Sequence, residues 1–135
     1  MADTILLEIV TPYRLLISEE VEEITAVGGE GEFGVLPGHA SLMTTLKPGS
    51  VNYKQKGKSS HIAVSSGFAE VGPEKVTILV AGADRAEEID LEQAKRELAD
   101  AEKRLGGLKE GDSQYGSAEQ EVEMAAARVE VAEKR

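Results

Sequence analysis

Cysteine is absent from the 135-residue chain, which removes disulfide cross-links, thiolate metal sites and cysteine nucleophiles together and fits a reducing compartment. Tryptophan is absent too, and three tyrosines with two phenylalanines make up the whole aromatic content. A base-stacking surface needs exposed rings, so single-stranded nucleic acid is a poor match. Positive charge is scarce: fifteen Lys and Arg stand against twenty-five Asp and Glu, a net charge of −10. That is the wrong sign for binding phosphate backbones through counterion release. No stretch approaches the ~18 consecutive apolar residues of a membrane-spanning helix, and Met1-Ala2-Asp3-Thr4 lacks the basic region and apolar core of a signal peptide. The expectation is a soluble, cytoplasmic protein with no nucleic-acid partner, reaching a membrane only through other proteins. Its length suits one domain or a small domain with an appendage.

What is present falls into two halves. Up to about Gly82 the chain consists of short β-prone runs, at 5–10, 13–18, 21–27, 33–36, 41–46, 51–54, 61–64, 68–71 and 76–80, separated by turn signals such as Pro37-Gly38, Pro48-Gly49 and Gly72-Pro73. Eight to ten such strands bury their faces as two packed layers, a β-sandwich. After Gly82 proline disappears and helix formers take over. Leu91, Ala94, Leu98, Ala101 and Leu105 recur at helical spacing, as do Ala118, Val122, Ala125, Val129 and Ala132. Asp90 with Gln93 and Ser117 with Gln120 are capping-box candidates, and the glycine-rich segment 106–116 lets the helices return antiparallel. The predicted organisation is a β-sandwich over residues 1–85 and a two-helix hairpin over 86–135. Because the seams alternate leucine with alanine and valine, the hairpin buries little area and should be marginal by itself. The pairs Glu92 with Arg96 and Glu130 with Lys134 add local support of ~0.2–0.5 kcal/mol each. The shorter, helical half carries more of the acidic excess, fourteen acids to eight bases against eleven to seven in the first 85 residues.

Few motifs suggest chemistry. Residues 29–34, Gly-Glu-Gly-Glu-Phe-Gly, match the G-x-G-x-x-G dinucleotide fingerprint literally. That fingerprint needs a following helix, whereas Val35-Leu36-Pro37-Gly38 follows and two glutamates repel an anion, so the segment reads as a tight loop between strands. His39 and His61 are the only histidines, in no metal-binding spacing, and Glu30, Glu32 and His39 are better read as turn residues than as a metal site. Ser65-Ser66-Gly67 lacks the G-x-S-x-G elbow. Lys54, Lys56 and Lys58 alternate around Gly57 as an exposed hairpin tip does. No independent active site is expected.

Several blocks do resemble a known family, the epsilon subunit of bacterial F-type ATP synthase. They are Leu7-Glu8-Ile9-Val10-Thr11-Pro12, the long block Gly31-Glu32-Phe33-Gly34-Val35-Leu36-Pro37-Gly38-His39-Ala40, Ser66-Gly67-Phe68-Ala69-Glu70-Val71, and Ala83-Asp84-Arg85-Ala86-Glu87-Glu88-Ile89-Asp90. The resemblance implies a non-catalytic rotor part of the proton-translocating complex. Its sandwich would bind the gamma subunit and rest on the c-subunit ring. Its hairpin would fold against the sandwich or extend to the alpha/beta catalytic head and inhibit ATP hydrolysis. The implied location is the cytoplasmic face of the bacterial inner membrane. Glu30, Glu32 and His39 match the family's loop near the c ring and gamma.

Some relatives bind ATP through an Ile/Leu-Asp-x-x-Arg-Ala motif, here matched by Ile89, Asp90, Gln93 and Ala94. Gln93 replaces the arginine, so a bidentate phosphate-gripping cation becomes a neutral amide beside Glu92, which implies weak or absent ATP binding and no resident cofactor. The second helix offers Arg128, Lys134 and Arg135 towards the catalytic head, a small set that implies modest inhibition. Composition and periodicity alone would also allow a free-standing protein-binding adaptor with no role in energy coupling.

Overall fold

The computed structural model describes residues 3–134. Ten strands precede two helices: β1 (Ile5–Val10), β2 (Leu15–Val21), β3 (Glu23–Gly28), β4 (Gly31–Val35), β5 (Leu42–Leu46), β6 (Gly49–Gln55), β7 (Lys58–Val64), β8 (Gly67–Val71), β9 (Lys75–Val80), β10 (Ala83–Arg85), then α1 (Leu91–Gly106) and α2 (Tyr115–Glu133). The strands follow one hydrogen-bonded path, β10-β7-β6-β3-β5-β8-β9-β1-β2, with β4 on the other side of β3. A single bridge, Gly28 with Leu46, joins β3 to β5. At that narrow joint the path folds into two layers whose inner faces share one core. This is the sandwich expected from the turn spacing.

Alternation builds the core. Ile5, Leu7 and Ile9 of β1, Val76, Ile78 and Val80 of β9, and Ile62 and Val64 of β7 all point inward and are buried. β2 departs from strict alternation because the register slips between Ile9 and Val10, so that Leu16 and Ile17 are both buried. β1 lies antiparallel to β2 and parallel to β9. The parallel partner is the late strand, so the amino-terminal segment can take its place only when β9 is available.

Boundaries differ from the sequence reading in three informative places. The second strand begins at Leu15 rather than residue 13, because the Thr11 hydroxyl accepts the amides of Tyr13 and Arg14, both at 3.2 Å, and makes a turn there. The three-residue strand β10, pairing Ala83–Arg85 with Ile62, Ala63 and Val64, went unseen because it is too short to show a period. Helix α2 starts at Tyr115, with Gln114 at the cap position and no side-chain cap, so Ser117 lies inside the first turn instead of capping it. Asp90 does cap α1, its carboxylate accepting the Gln93 amide at 3.1 Å. The lysine tip is a two-residue turn, Lys56-Gly57, with φ of 52° and 79°.

The helices pair antiparallel. Arg104 meets Glu121 and Arg128 approaches Glu97, partners that step seven residues along each helix in opposite directions. The hairpin lies on the outer face of the sandwich, against β6 and β7. Ala63 points away from the core formed by Ile62 and Val64, yet is fully buried, because Ala86, Ile89, Ala94, Ala127, Val131 and Ala132 cover it. β7 is thus buried on both faces. Of the expected intrahelical pairs, Glu130 with Lys134 forms at 3.2 Å. Glu92 and Arg96 form no ion pair among the described residues, and the neighbouring contact is Gln93 to Glu97, 3.1 Å.

Two outcomes follow. A chain cut after Arg85 keeps all ten strands and should unfold cooperatively by calorimetry, at a lower Tm than the full chain because Ala63 and its surroundings are uncovered. Gly67→Ala should be far more damaging than its size suggests, since an added Cβ would stand 2.1 Å from the Leu79 carbonyl oxygen. A loss of about 2–3 kcal/mol is expected, read as a Tm drop of about 10 °C or more.

Candidate functional site

The sequence candidates do not converge on one cavity. Gly29-Glu30 forms the turn between β3 and β4, with Gly28 opposite Gly31, and the Gly29 amide donates to the Thr45 carbonyl at 3.1 Å. Glu30 and Glu32 are exposed, and Glu32 sits within β4, opposite Val27, rather than in a loop. The literal nucleotide fingerprint therefore folds as a β-hairpin, with no helix N-terminus to receive a phosphate. His39 lies beyond the other end of β4. Its amide donates to the Leu36 carbonyl at 3.1 Å, and the neighbouring Gly38 amide reaches the Pro73 carbonyl at 2.8 Å, tying this turn to the one before β9. Glu32 and His39 are thus separated by most of a strand, roughly 10 Å or more at ~3.3 Å per residue. No group of three potential metal ligands gathers among the described residues.

A surface that sequence reasoning missed lies on the outer face of the second layer. Thr45, Phe68, Leu79, Val10 and Leu15 are successive cross-strand neighbours through β5, β8, β9, β1 and β2. Phe68, Leu79 and Leu15 are each about half exposed, at 56%, 49% and 56%, and Tyr13 beside them is 90% exposed. One pleat further, the same face turns polar through Glu70, Thr77, Glu8 and Ser18, and Glu8 pairs with Lys75 at 2.8 Å. An apolar stripe with a charged border on a small protein marks a contact surface. The signal was legible: Phe68 and Leu79 share the strand parity of the outward residues Glu70 and Thr77, where polar side chains belong.

The segment joining sandwich to hairpin is anchored by charge. Arg14 donates to both Glu88 carboxylate oxygens, at 3.2 and 3.1 Å, and reaches the Ala83 carbonyl at 3.4 Å. Glu88 also accepts the Arg85 amide at 2.9 Å, while the Arg85 guanidinium binds the Leu16 carbonyl at 2.8 Å. The bonds from Arg14, then the Arg85 amide, hold the Glu88 carboxyl below its ordinary range near 4.5, and Glu88 in turn raises the Arg14 guanidinium. On the face under α2, His61 lies 2.6 Å from the Asn52 side-chain oxygen. Burial first, then Lys134, holds its imidazole below the usual 6.5.

The four residues of the degenerate nucleotide motif have structural employment. Ile89 and Ala94 are buried between the helices and the sandwich, Asp90 caps α1, and the Gln93 side-chain amide donates to Glu97. Of the cations of the second helix, Lys134 is exposed while Arg128 is only about one-quarter exposed. Arg128 turns inward, paired with Asp84 of β10 and near Glu97 of α1, and Lys134 pairs with Glu130. Arg135 lies outside the described residues.

The profile for the ATP synthase delta/epsilon chain beta-sandwich domain matches residues 4–86, and that for the long alpha-helix domain of the same chain matches residues 87–133. The chain belongs to the ATP synthase delta/epsilon family. The ATP synthase epsilon chain of Geobacter metallireducens is 50% identical over 134 residues, 99% of this chain and 97% of that one. The epsilon chain of Nitratidesulfovibrio vulgaris is 45% identical over 131 residues, 97% of each. Among solved structures, a chain of the Euglena gracilis mitochondrial ATP synthase OSCP/F1/c-ring assembly superposes with a TM-score of 0.80 at 29% identity, over 98% of this chain and 82% of that one. A chain of the Tetrahymena thermophila mitochondrial central stalk and c-ring shares the fold, with a TM-score of 0.63 at 14% identity over 95% and 96% of the two chains. In the delta/epsilon family frame, the sandwich is the part that carries the apolar stripe and the helical part lies on the opposite layer. No helix among the described residues is long and apolar enough to cross a membrane.

The linker anchor gives a pH expectation with a definite sign. Because the Glu88 carboxyl is held low in the folded chain, its contribution is complete above the ordinary glutamate pKa and is lost as the pH falls through the lowered value. Arg14→Met should raise the Glu88 midpoint towards the ordinary glutamate range while the Arg85 amide still holds part of the shift, and carbon-detected NMR titration of the Glu88 side chain reads the change.

Proposed function

We propose that this chain is the non-catalytic central-stalk subunit of a proton-translocating F-type ATP synthase, transmitting rotation by shape and contact rather than by chemistry of its own. The observation that carries the reading is the stripe of exposed Phe68, Leu79 and Leu15, bridged by half-buried Val10, across one layer, in a chain matched over residues 4–133 by the ATP synthase delta/epsilon family. Such a stripe suits a large apolar partner, and we assign it to the gamma subunit. Glu30, Glu32 and His39, exposed or partly so on turns and β4, offer polar contacts to gamma and the c ring. The hairpin is the element that can approach the alpha/beta head. The complex would hold the protein peripherally at the cytoplasmic face of the bacterial inner membrane. Full-length family membership leaves the free-standing adaptor without an observation in its favour.

ATP binding is proposed to be weak or absent. Gln93 cannot grip phosphate as arginine does, and the Asp90 carboxylate is occupied at the helix cap. Loss of one charge-assisted bidentate contact weakens affinity by about thirty- to hundredfold.

The stripe is tested by Phe68→Glu with Leu79→Glu, which should abolish co-purification with gamma while leaving the thermal transition of the isolated chain in place. Retained co-purification would refute the assignment. Glu32→Lys and His39→Ala, at opposite ends of β4, should each weaken assembly or coupling, with effects that add. Removal of residues 90–135 should leave proton-driven ATP synthesis in reconstituted vesicles largely intact and raise ATP hydrolysis. Calorimetry with ATP and Mg²⁺ should show no micromolar binding, and Gln93→Arg should strengthen whatever binding exists.

A further inference from the structure

The hairpin meets the sandwich largely through small side chains, Ala63 below with Ala86, Ala94, Ala127 and Ala132 above, joined by Ile89 and Val131 and flanked by partly buried Leu91, Met124 and Val129. Methyl groups bury little area, so this contact gains little at ~25 cal/mol per Å². Among the described residues, Arg128 is the side chain of the two helices that pairs with a charged group of the strands. The Arg128 guanidinium of α2 pairs with Asp84, which faces outward on β10, and its Nε lies 3.8 Å from the Glu97 carboxylate of α1. The Arg128 side chain is about one-quarter exposed, and its Nε is buried with no hydrogen-bond partner. The Glu97 carboxylate lies within ion-pair reach of that orphaned donor, and the Gln93 side-chain amide holds its other oxygen at 3.1 Å. A neutral amide at position 93 steadies the Glu97 carboxylate without cancelling its charge.

We infer that Arg128 is the clasp that holds the hairpin on the sandwich, joining α2 to Asp84 and Glu97 at once, with Gln93 positioning Glu97 for it. Three elements close around one guanidinium, so docking depends on ionic strength and needs no bound nucleotide. An arginine at position 93 would compete for Glu97 and loosen the clasp. The consequence for the assembled complex, release of the arm towards the catalytic head, rests on the rotor-subunit reading. The clasp itself does not, so the two can fail separately.

The test uses the full chain with spin labels at Lys58→Cys and Glu110→Cys, sites that are exposed and unique in a sequence without native cysteine. Pulsed electron resonance should give one dominant docked distance in ~0.05 M NaCl and a growing longer population towards ~1 M, as the screening length shortens from about 14 Å to about 3 Å. Arg128→Met, which keeps the aliphatic stem, should shift the docked-to-released ratio about tenfold. Asp84→Asn should act in the same direction, and Gln93→Arg more weakly. Unchanged distance distributions in Arg128→Met and Asp84→Asn would overturn the clasp.

Discussion

The parallel pairing of β1 with β9 is the constraint on which the other features depend. It sets Val10 beside Leu79 and so completes the apolar stripe across four strands. It also delivers the turn after β1, with Thr11 and Arg14, to the point where the sandwich ends, so that Arg14 can reach Glu88 and the Ala83 carbonyl. Contact surface and hairpin anchor are therefore two products of one strand insertion. Gly67 sits at the same place, pressed against the Leu79 carbonyl where no side chain fits, which holds the Phe68 and Leu79 strands in close register.

The two layers divide the work by what covers them. The β6-β7 layer is closed on its outer side by the helical hairpin, over Ala63 and beside His61 and Asp84. The β8-β9-β1-β2 layer keeps its outer side open, with an apolar stripe bordered by Glu8, Glu70 and Lys75. The open stripe and the docked hairpin therefore lie on opposite sides of one small domain and do not compete for surface. The linker is held separately, by Arg14 and Arg85, so a hairpin released from β7 stays tethered where it leaves the strands.

Much of this was legible in the sequence. Turn residues and alternation gave nine of the strands within a few residues, and the three-and-four spacing gave both helices. What was missed shares a physical cause: it depends on partners distant in sequence. β10 has only three residues and exists through its pairing with β7. Tyr13 looked like a strand residue until the Thr11 hydroxyl claimed its amide. Ser117 had the chemistry of a cap, but the helix begins earlier. Glu32 and His39 are seven positions apart and look like one loop until β4 separates them. Arg128, read as a cation displayed to a partner, turns inward because Asp84 and Glu97 come from elements that periodicity cannot bring together.

The alanine seam under the hairpin has a thermal consequence. Heat capacity changes with the apolar area uncovered, and parting methyl groups uncovers little. The docked and released poses should therefore have similar heat capacities, with their ratio following a nearly straight van't Hoff line. The Ile- and Val-rich sandwich core, by contrast, unfolds along a strongly curved stability profile. A hairpin clasped as inferred above would keep nearly the same bias across the temperatures over which its domain stays folded.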